Sequence, residues 1–178
     1  MTFNQYLQSV EACEPAVEWA ENKTIEEVVA TCHRGDWLLW LAKKCDIGLQ
    51  PLTLAKGHCA NTVRHLMNDE RSIRAVDAAI AFGEGKATRE ELDVAAAAAS
   101  VAAYAYVAAD ADAVAAAAAA AYAAAAATAD ADAAAYAAAD ASATDPDDAN
   151  RLQTANICRK YIGELIIEKV NQILTQTP

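Results

Sequence analysis

The run AAAAASVAAYAYVAADADAVAAAAAAAYAAAAATADADAAAYAAADA, residues 95–141, decides the fold. Of its 47 residues 33 are Ala, and the whole chain of 178 residues holds 48. Ala is the best helix former and a poor strand former, so the run is helical and the chain belongs to the all-α class. It is too long for one helix of an ordinary domain. Asp competes for nearby amides, which makes Asp110, Asp130 and Asp140 the natural break points. The spacing predicts helices near 89–108, 111–127 and 130–142. Their Ala faces let helix axes approach closely. Tyr104, Tyr122 and Tyr136, 18 and 14 residues apart, would fill the spaces that Ala leaves.

Outward from the run, punctuation marks further helices. Thr88-Arg-Glu-Glu91 is a capping box that opens the Ala-rich region, and Thr24-Ile-Glu-Glu27 is another, opening a helix that buries Val28, Val29 and Cys32. Gly35 stops that helix, and Asp36 is placed to N-cap a helix over Trp37–Cys45 that ends at Gly48. A helix over Phe3–Cys13 stops before Pro15, with a short helical turn over Ala16–Glu21. Pro51 opens the next helix in its first turn, with Leu54, His58, Cys59, Val63 and Leu66 on one stripe. Glu70–Phe82 repeats the pattern through Ile73, Val76, Ala79 and Ile80 until Gly83 and Gly85 break it. Thr144-Asp-Pro-Asp-Asp148 starts a long C-terminal helix, to about Leu174. Its stripe of Leu152, Ala155, Cys158, Tyr161, Ile162, Leu165, Ile166 and Ile173 is suited to cover the Ala-rich helices. The expected architecture is a single all-helical domain, a bundle or stacked hairpins. It divides into 1–94 mixed hairpins, 95–142 Ala-rich helices and a 145–175 C-terminal helix.

The net charge of −11 is unevenly spread. Residues 95–150 carry eight Asp and no basic residue, while residues 151–178 carry four Lys or Arg against two Glu. So acidic a stretch repels phosphate backbones and anionic membrane surfaces and attracts basic proteins. It equally serves as a solvated surface that keeps an Ala-rich chain in solution. The longest uncharged stretch, Ala113–Ala129, is 17 residues of nearly pure Ala, too short and too weakly apolar to span a bilayer. The first 15 residues lack a basic region followed by an apolar one, so no signal peptide is expected. Five widely spaced cysteines without a CxxC suit free thiols in a reducing cytoplasm.

Candidate chemistry is sparse. Cys32, His33, His58, Cys59 and His65 lack the short spacings of a zinc site. Cys-His pairs are available as nucleophiles, yet their cysteines lie on apolar stripes. Asp110/Asp112 and Asp130/Asp132 are paired carboxylates, but residues two apart on a helix diverge, and capping explains them. No phosphate loop, dinucleotide loop, zinc-protease or serine-elbow motif occurs, and a regular Thr array for ice binding is missing. No catalytic, cofactor or metal residue is assigned, no cofactor is expected, and the chain reads as a non-enzyme. The most distinctive segment is Arg34-Gly-Asp36-Trp37-Leu-Leu-Trp40. With Trp19 it holds all three Trp, which either anchor the N-terminal helices or form a partner-binding hot spot. The candidate partner-binding residues are Arg34, Asp36, Trp37 and Trp40, together with Asp110, Asp112, Asp130 and Asp132.

One order of segments runs through residues 30–142. It comprises Gly35-Asp-Trp-Leu-Leu-Trp40, Ala55-xxx-Cys59-Ala60 with Leu66, Arg74-Ala-Val76 with Ala79, Gly85-Lys-Ala-Thr88 with Glu91-Leu92, and the Ala/Tyr run. This order resembles a family of Ala-rich, all-helical bacterial proteins assigned as immunity proteins of toxin–immunity systems, with phage-encoded relatives. The resemblance implies an inhibitor that binds and neutralises a toxin stoichiometrically, and it brings no established functional residue. One alternative is a phage-encoded inhibitor of a bacterial defence system, an anti-CRISPR or other anti-defence protein acting through its acidic surface. Another is a self-assembling helical module. All three act by contact with protein, preferably a basic surface, without direct contact to nucleic acid or membrane. Homo-oligomers through the Ala-rich or C-terminal helices are compatible with each.

Overall fold

Every regular element among the described residues is helical, as the Ala-rich run requires. The structure, a computed structural model, describes residues 1–107 and 149–176. The elements are α1 (Phe3–Ser9), α2 (Glu14–Trp19), α3 (Ile25–Thr31), α4 (Gly35–Lys44), α5 (Leu49–Asn61), a 3-10 turn (Arg64–Leu66), α6 (Glu70–Gly83), α7 (Arg89–Val107), α8 (Ala149–Cys158), a π segment (Arg159–Gly163) and α9 (Glu164–Gln176). The chain is all-α. The first predicted Ala-rich helix is the one seen as α7. The two predicted helices that follow it, the Tyr122 and Tyr136 positions and the Thr144–Asp148 start all lie outside the described residues.

Local chemistry explains most helix starts. The capping boxes at Thr24/Glu27 and Thr88/Glu91 form, each hydroxyl accepting from the third amide and each carboxylate from the cap amide. A third box, Thr2 with Gln5, opens α1. Asp36 departs from its expected role. Helix α4 begins one residue earlier, at Gly35, its N-cap is Arg34 without a side-chain cap bond, and Asp36 lies in the first turn. The reason is competition, because the Arg34 guanidinium captures both oxygens of Asp36, at 2.9 and 2.6 Å.

Three helix ends share one device. After α1, α4 and α6, the residue beyond the C-cap is left-handed: Glu11 (φ 61), Asp46 (φ 59) and Gly85 (φ 73). In each case its amide and the next one return to carbonyls of the last turn, as in Ala12 to Leu7, Ile47 to Ala42 and Lys86 to Ala81. This is the Schellman termination, which normally takes Gly or Asn at that position. It ends α1 at Ser9, four residues short of the expected Cys13, and frees Glu14–Trp19 to form α2 with Pro15 in its first turn. Helix α5 likewise begins at Leu49, ahead of Pro51, and ends at Asn61, so Val63 and Leu66 sit in the turns after it.

Two apolar clusters meet at α5. One joins α1–α5 with α8, the π segment and α9, around Leu38, Leu39, Ala55, Cys59, Cys158 and Ile162. The other joins α5, α6 and α7 around Val63, Val76, Ala79, Leu92 and Ala99. Among the described residues the C-terminal helix therefore packs on α3, α4 and α5, and α7 packs on α6. Glycines set the crossings. A Cβ on Gly35 would lie 2.6–2.8 Å from Thr154, and one on Gly83 would lie 2.4 Å from Leu54 Cβ and 2.7 Å from its Cα. Gly83, expected as a stop, is the last residue of α6 and a contact point. Leu152 and Leu165, expected on the packed stripe, are 48% and 37% exposed, while Thr154 and Val170 are buried. The five-residue π segment carries the buried face through Cys158, Ile162, Ile166 and Val170.

Candidate functional site

The short N-terminal helices cannot fill the space between them. Helices α1 and α2 have seven and six residues, and α2 buries no side chain fully. Their junction with the C-terminal end of α3 and with α4 leaves a cleft of about 540 Å³. Phe3 and Leu7 of α1, Val28 and Cys32 of α3, and Leu38 and Leu41 of α4 form its apolar surface. Trp19 comes from α2, and Trp37 and Trp40, three residues apart, come from one face of α4. All three indoles are half-buried. The volume falls in the range of sites that take a compact ligand or an inserted side chain.

The aromatic groups hold one another. Trp19 and Trp37 lie 6.0 Å apart, ring centre to ring centre, and His33 is 6.1 Å from Trp19 edge-on and 6.4 Å from Trp37. Such pairs add about 0.5–1.5 kcal/mol each beyond their burial. Each indole also carries a cation: Lys23 over Trp19 at 4.5 Å, Arg34 over Trp37 at 5.0 Å and Lys44 over Trp40 at 5.4 Å. Lys23 is fixed further by donating to the Trp19 carbonyl. The result is a pre-ordered aromatic wall, which lowers the ordering cost of binding.

Polar groups at the cleft are few. Arg34 and Asp36 form their two-pronged ion pair with side chains 23% and 18% exposed, and the hydrogen bonds that Arg34 donates to Asp36 hold it more firmly in its charged form. Glu11 and Cys13 lie at the lip, both exposed. Cys13 is the exposed cysteine of the five, while Cys32, Cys45, Cys59 and Cys158 are buried. Burial pushes the Cys32 thiol, on the cleft surface, up to about 11, so it is a packing group rather than a nucleophile.

The four candidates from the first half of the chain, Arg34, Asp36, Trp37 and Trp40, thus surround one cleft. The other four, Asp110, Asp112, Asp130 and Asp132, lie outside the described residues. Sequence reading missed Glu11 and Cys13, because their place at the lip depends on the left-handed turn after α1. Trp19 was visible as the third Trp, but nothing local placed it opposite Trp37.

Two other clusters stand apart. His58 stacks on Tyr161, ring centres 4.5 Å apart and planes 5° from parallel, and burial and then Lys160 hold its pKa below the ordinary value. Cys59 and Cys158 meet Sγ to Sγ at 3.9 Å, and Cys158 reaches the Gly35 carbonyl at 3.5 Å. Its contact with Cys59 and its burial raise the Cys158 thiol well above its usual range. Among the described residues no group of three or more His, Cys, Asp or Glu is placed to hold a metal ion. No described helix is long and apolar enough to cross a membrane. Compared with known proteins, the chain matches no protein-family model, no curated protein and no solved structure.

Proposed function

We propose that the protein works by stoichiometric binding, as an immunity-type inhibitor that occupies a surface of a partner protein, a toxin, and so neutralises it. The observation that supports this reading is the cleft between α1, α2, α3 and α4. It combines three ordered tryptophans, an arginine and a concave apolar surface, the composition that dominates binding hot spots. Its principal polar groups, Arg34 and Asp36, are spent on each other, which suits recognition better than proton transfer. The eight Asp of residues 95–150 would steer a basic partner toward the complex. Affinity capture from the native host, with wild type and with Trp37→Ala and Trp40→Ala run in parallel, tests the reading. A partner held one-to-one by the wild type and lost by both variants supports it. A partner held equally by all three moves the contact elsewhere.

A second reading, self-association, is favoured by α7. Val94 and Val101, seven residues apart on that helix, are 72% and 57% exposed. Light scattering across a concentration series tests it, because self-association raises the mean mass with concentration.

A further inference from the structure

We infer that Cys59 and Cys158 form a modification site, a buried dithiol that the fold holds ready for oxidation by a small-molecule disulfide to one bond between α5 and α8. The inference is independent of the binding reading above. The two residues are 99 apart in sequence, both are fully buried, and their sulfurs lie 3.9 Å from each other. The other two buried thiols turn to nearby backbone carbonyls, Cys32 to Arg34 and Cys45 to Ala42, and Cys13 is exposed at the cleft lip. Out of five cysteines the fold therefore brings one pair together.

Little opposes closure. The sulfurs have to come from 3.9 Å to the roughly 2.05 Å of a disulfide, a path of about 1.9 Å. The polar contacts given up are long ones, Cys59 to the Thr154 carbonyl at 3.8 Å and Cys158 to the Gly35 carbonyl at 3.5 Å, and a thiol is a weak donor. In the packed state the contact with Cys59 and burial keep the Cys158 thiol protonated, so exchange starts before α8 is seated on α5. One protein thiolate attacks the small disulfide, forming a mixed disulfide and releasing one small thiolate. The second protein thiolate then attacks the protein sulfur of that mixed disulfide and expels the other. The protein loses two protons and two electrons, and the reagent takes them up as two small thiols. Seating α8 puts the second sulfur against the first, so folding favours the second step. The bond closes a loop of about a hundred residues, long enough to constrain the unfolded chain strongly.

The test unfolds the full chain in urea and refolds it in mixtures of reduced and oxidised glutathione, followed by acid quenching, alkylation and peptide mapping by mass spectrometry. With oxidised glutathione in excess, the refolded protein should carry alkylated Cys13, Cys32 and Cys45 and a linked Cys59–Cys158 peptide. It should melt about 4–16 °C above the protein refolded in reduced glutathione alone. Cys59→Ala and Cys158→Ala, each compared with itself in the two buffers, should show no such rise, and the mapping on the wild type stands whether or not a variant folds. A control held in urea should give a mixture of pairs and glutathione adducts. The inference is overturned if the refolded protein keeps five alkylatable thiols, or if it carries that same mixture or a different pair. It is overturned equally if the Cys59–Cys158 bond forms without raising the melting temperature, or if either variant shows the same rise.

Discussion

Replacing Gly83 by Ala should open the α5–α6 crossing. The added Cβ would lie 2.4 Å from Leu54 Cβ, 2.7 Å from its Cα and 2.8 Å from its N. Carbon atoms pack at about 3.5–4.0 Å, so the shortfall exceeds about 1 Å. Two of the three atoms are backbone, so no side-chain rotation relieves the overlap, and one helix has to shift. Overpacking typically costs about 1–3 kcal/mol, and a backbone overlap belongs at the upper end. Ala gains up to about 1 kcal/mol over Gly in a helix. The net loss is therefore about 2 kcal/mol, or roughly 4–8 °C in melting temperature for a chain of this size. Gly85, two residues on, is the control. Its Cβ would meet nothing within 4 Å, but its φ of 73° penalises any other side chain. Gly85→Ala should cost about 1 kcal/mol, and Gly85→Asn less. Thermal unfolding followed by circular dichroism ranks the variants. Gly83→Ala melting at or above the wild type, or above Gly85→Ala, would refute the crossing argument.

Other expectations follow from the same geometry. In the native protein a small thiol reagent should modify Cys13 quickly, and the four buried cysteines should react only after denaturation; mass spectrometry counts the adducts. The His58 ring has a folded pKa below its unfolded value, so the unfolded chain binds more protons between the two. The contribution of His58 to stability is then complete above the unfolded pKa, about 6.5, and is lost as pH falls from there through the lower folded pKa. Urea midpoints measured across that window should fall with pH in the wild type and fall less in His58→Phe, which keeps the stack on Tyr161. Replacing Asp110, Asp112, Asp130 and Asp132 by Asn should slow association with a basic partner in low salt and leave dissociation nearly unchanged, as stopped-flow mixing can show. An unchanged on-rate would make the acidic stretch a solubilising surface.

The parts of the fold legible in the sequence were those fixed by neighbours in the chain. Thr24/Glu27 and Thr88/Glu91 close their boxes over three residues, and Ala forms α7 by intrinsic preference. What depends on distant groups was not legible. Asp36 has the chemistry of a cap, and the Arg34 fork takes it first. Gly83 has the chemistry of a stop, and its use is the approach of Leu54. Lys56, a residue type that favours solvent, is 1% exposed on α5. For the site, the Trp37/Trp40 spacing put both indoles on one helix face and left open whether that face is an anchor or a contact surface. The opposite wall required the reversal at Glu11, where the residue type argues against the conformation adopted.

The central claim, that a partner seats in the tryptophan cleft, is met most directly at Cys13. A solvatochromic dye attached to that exposed lip thiol should shift its emission to shorter wavelength as the captured partner is added, with an end point at one-to-one. A complex that forms while the dye and the tryptophans keep their free-state emission would contradict it.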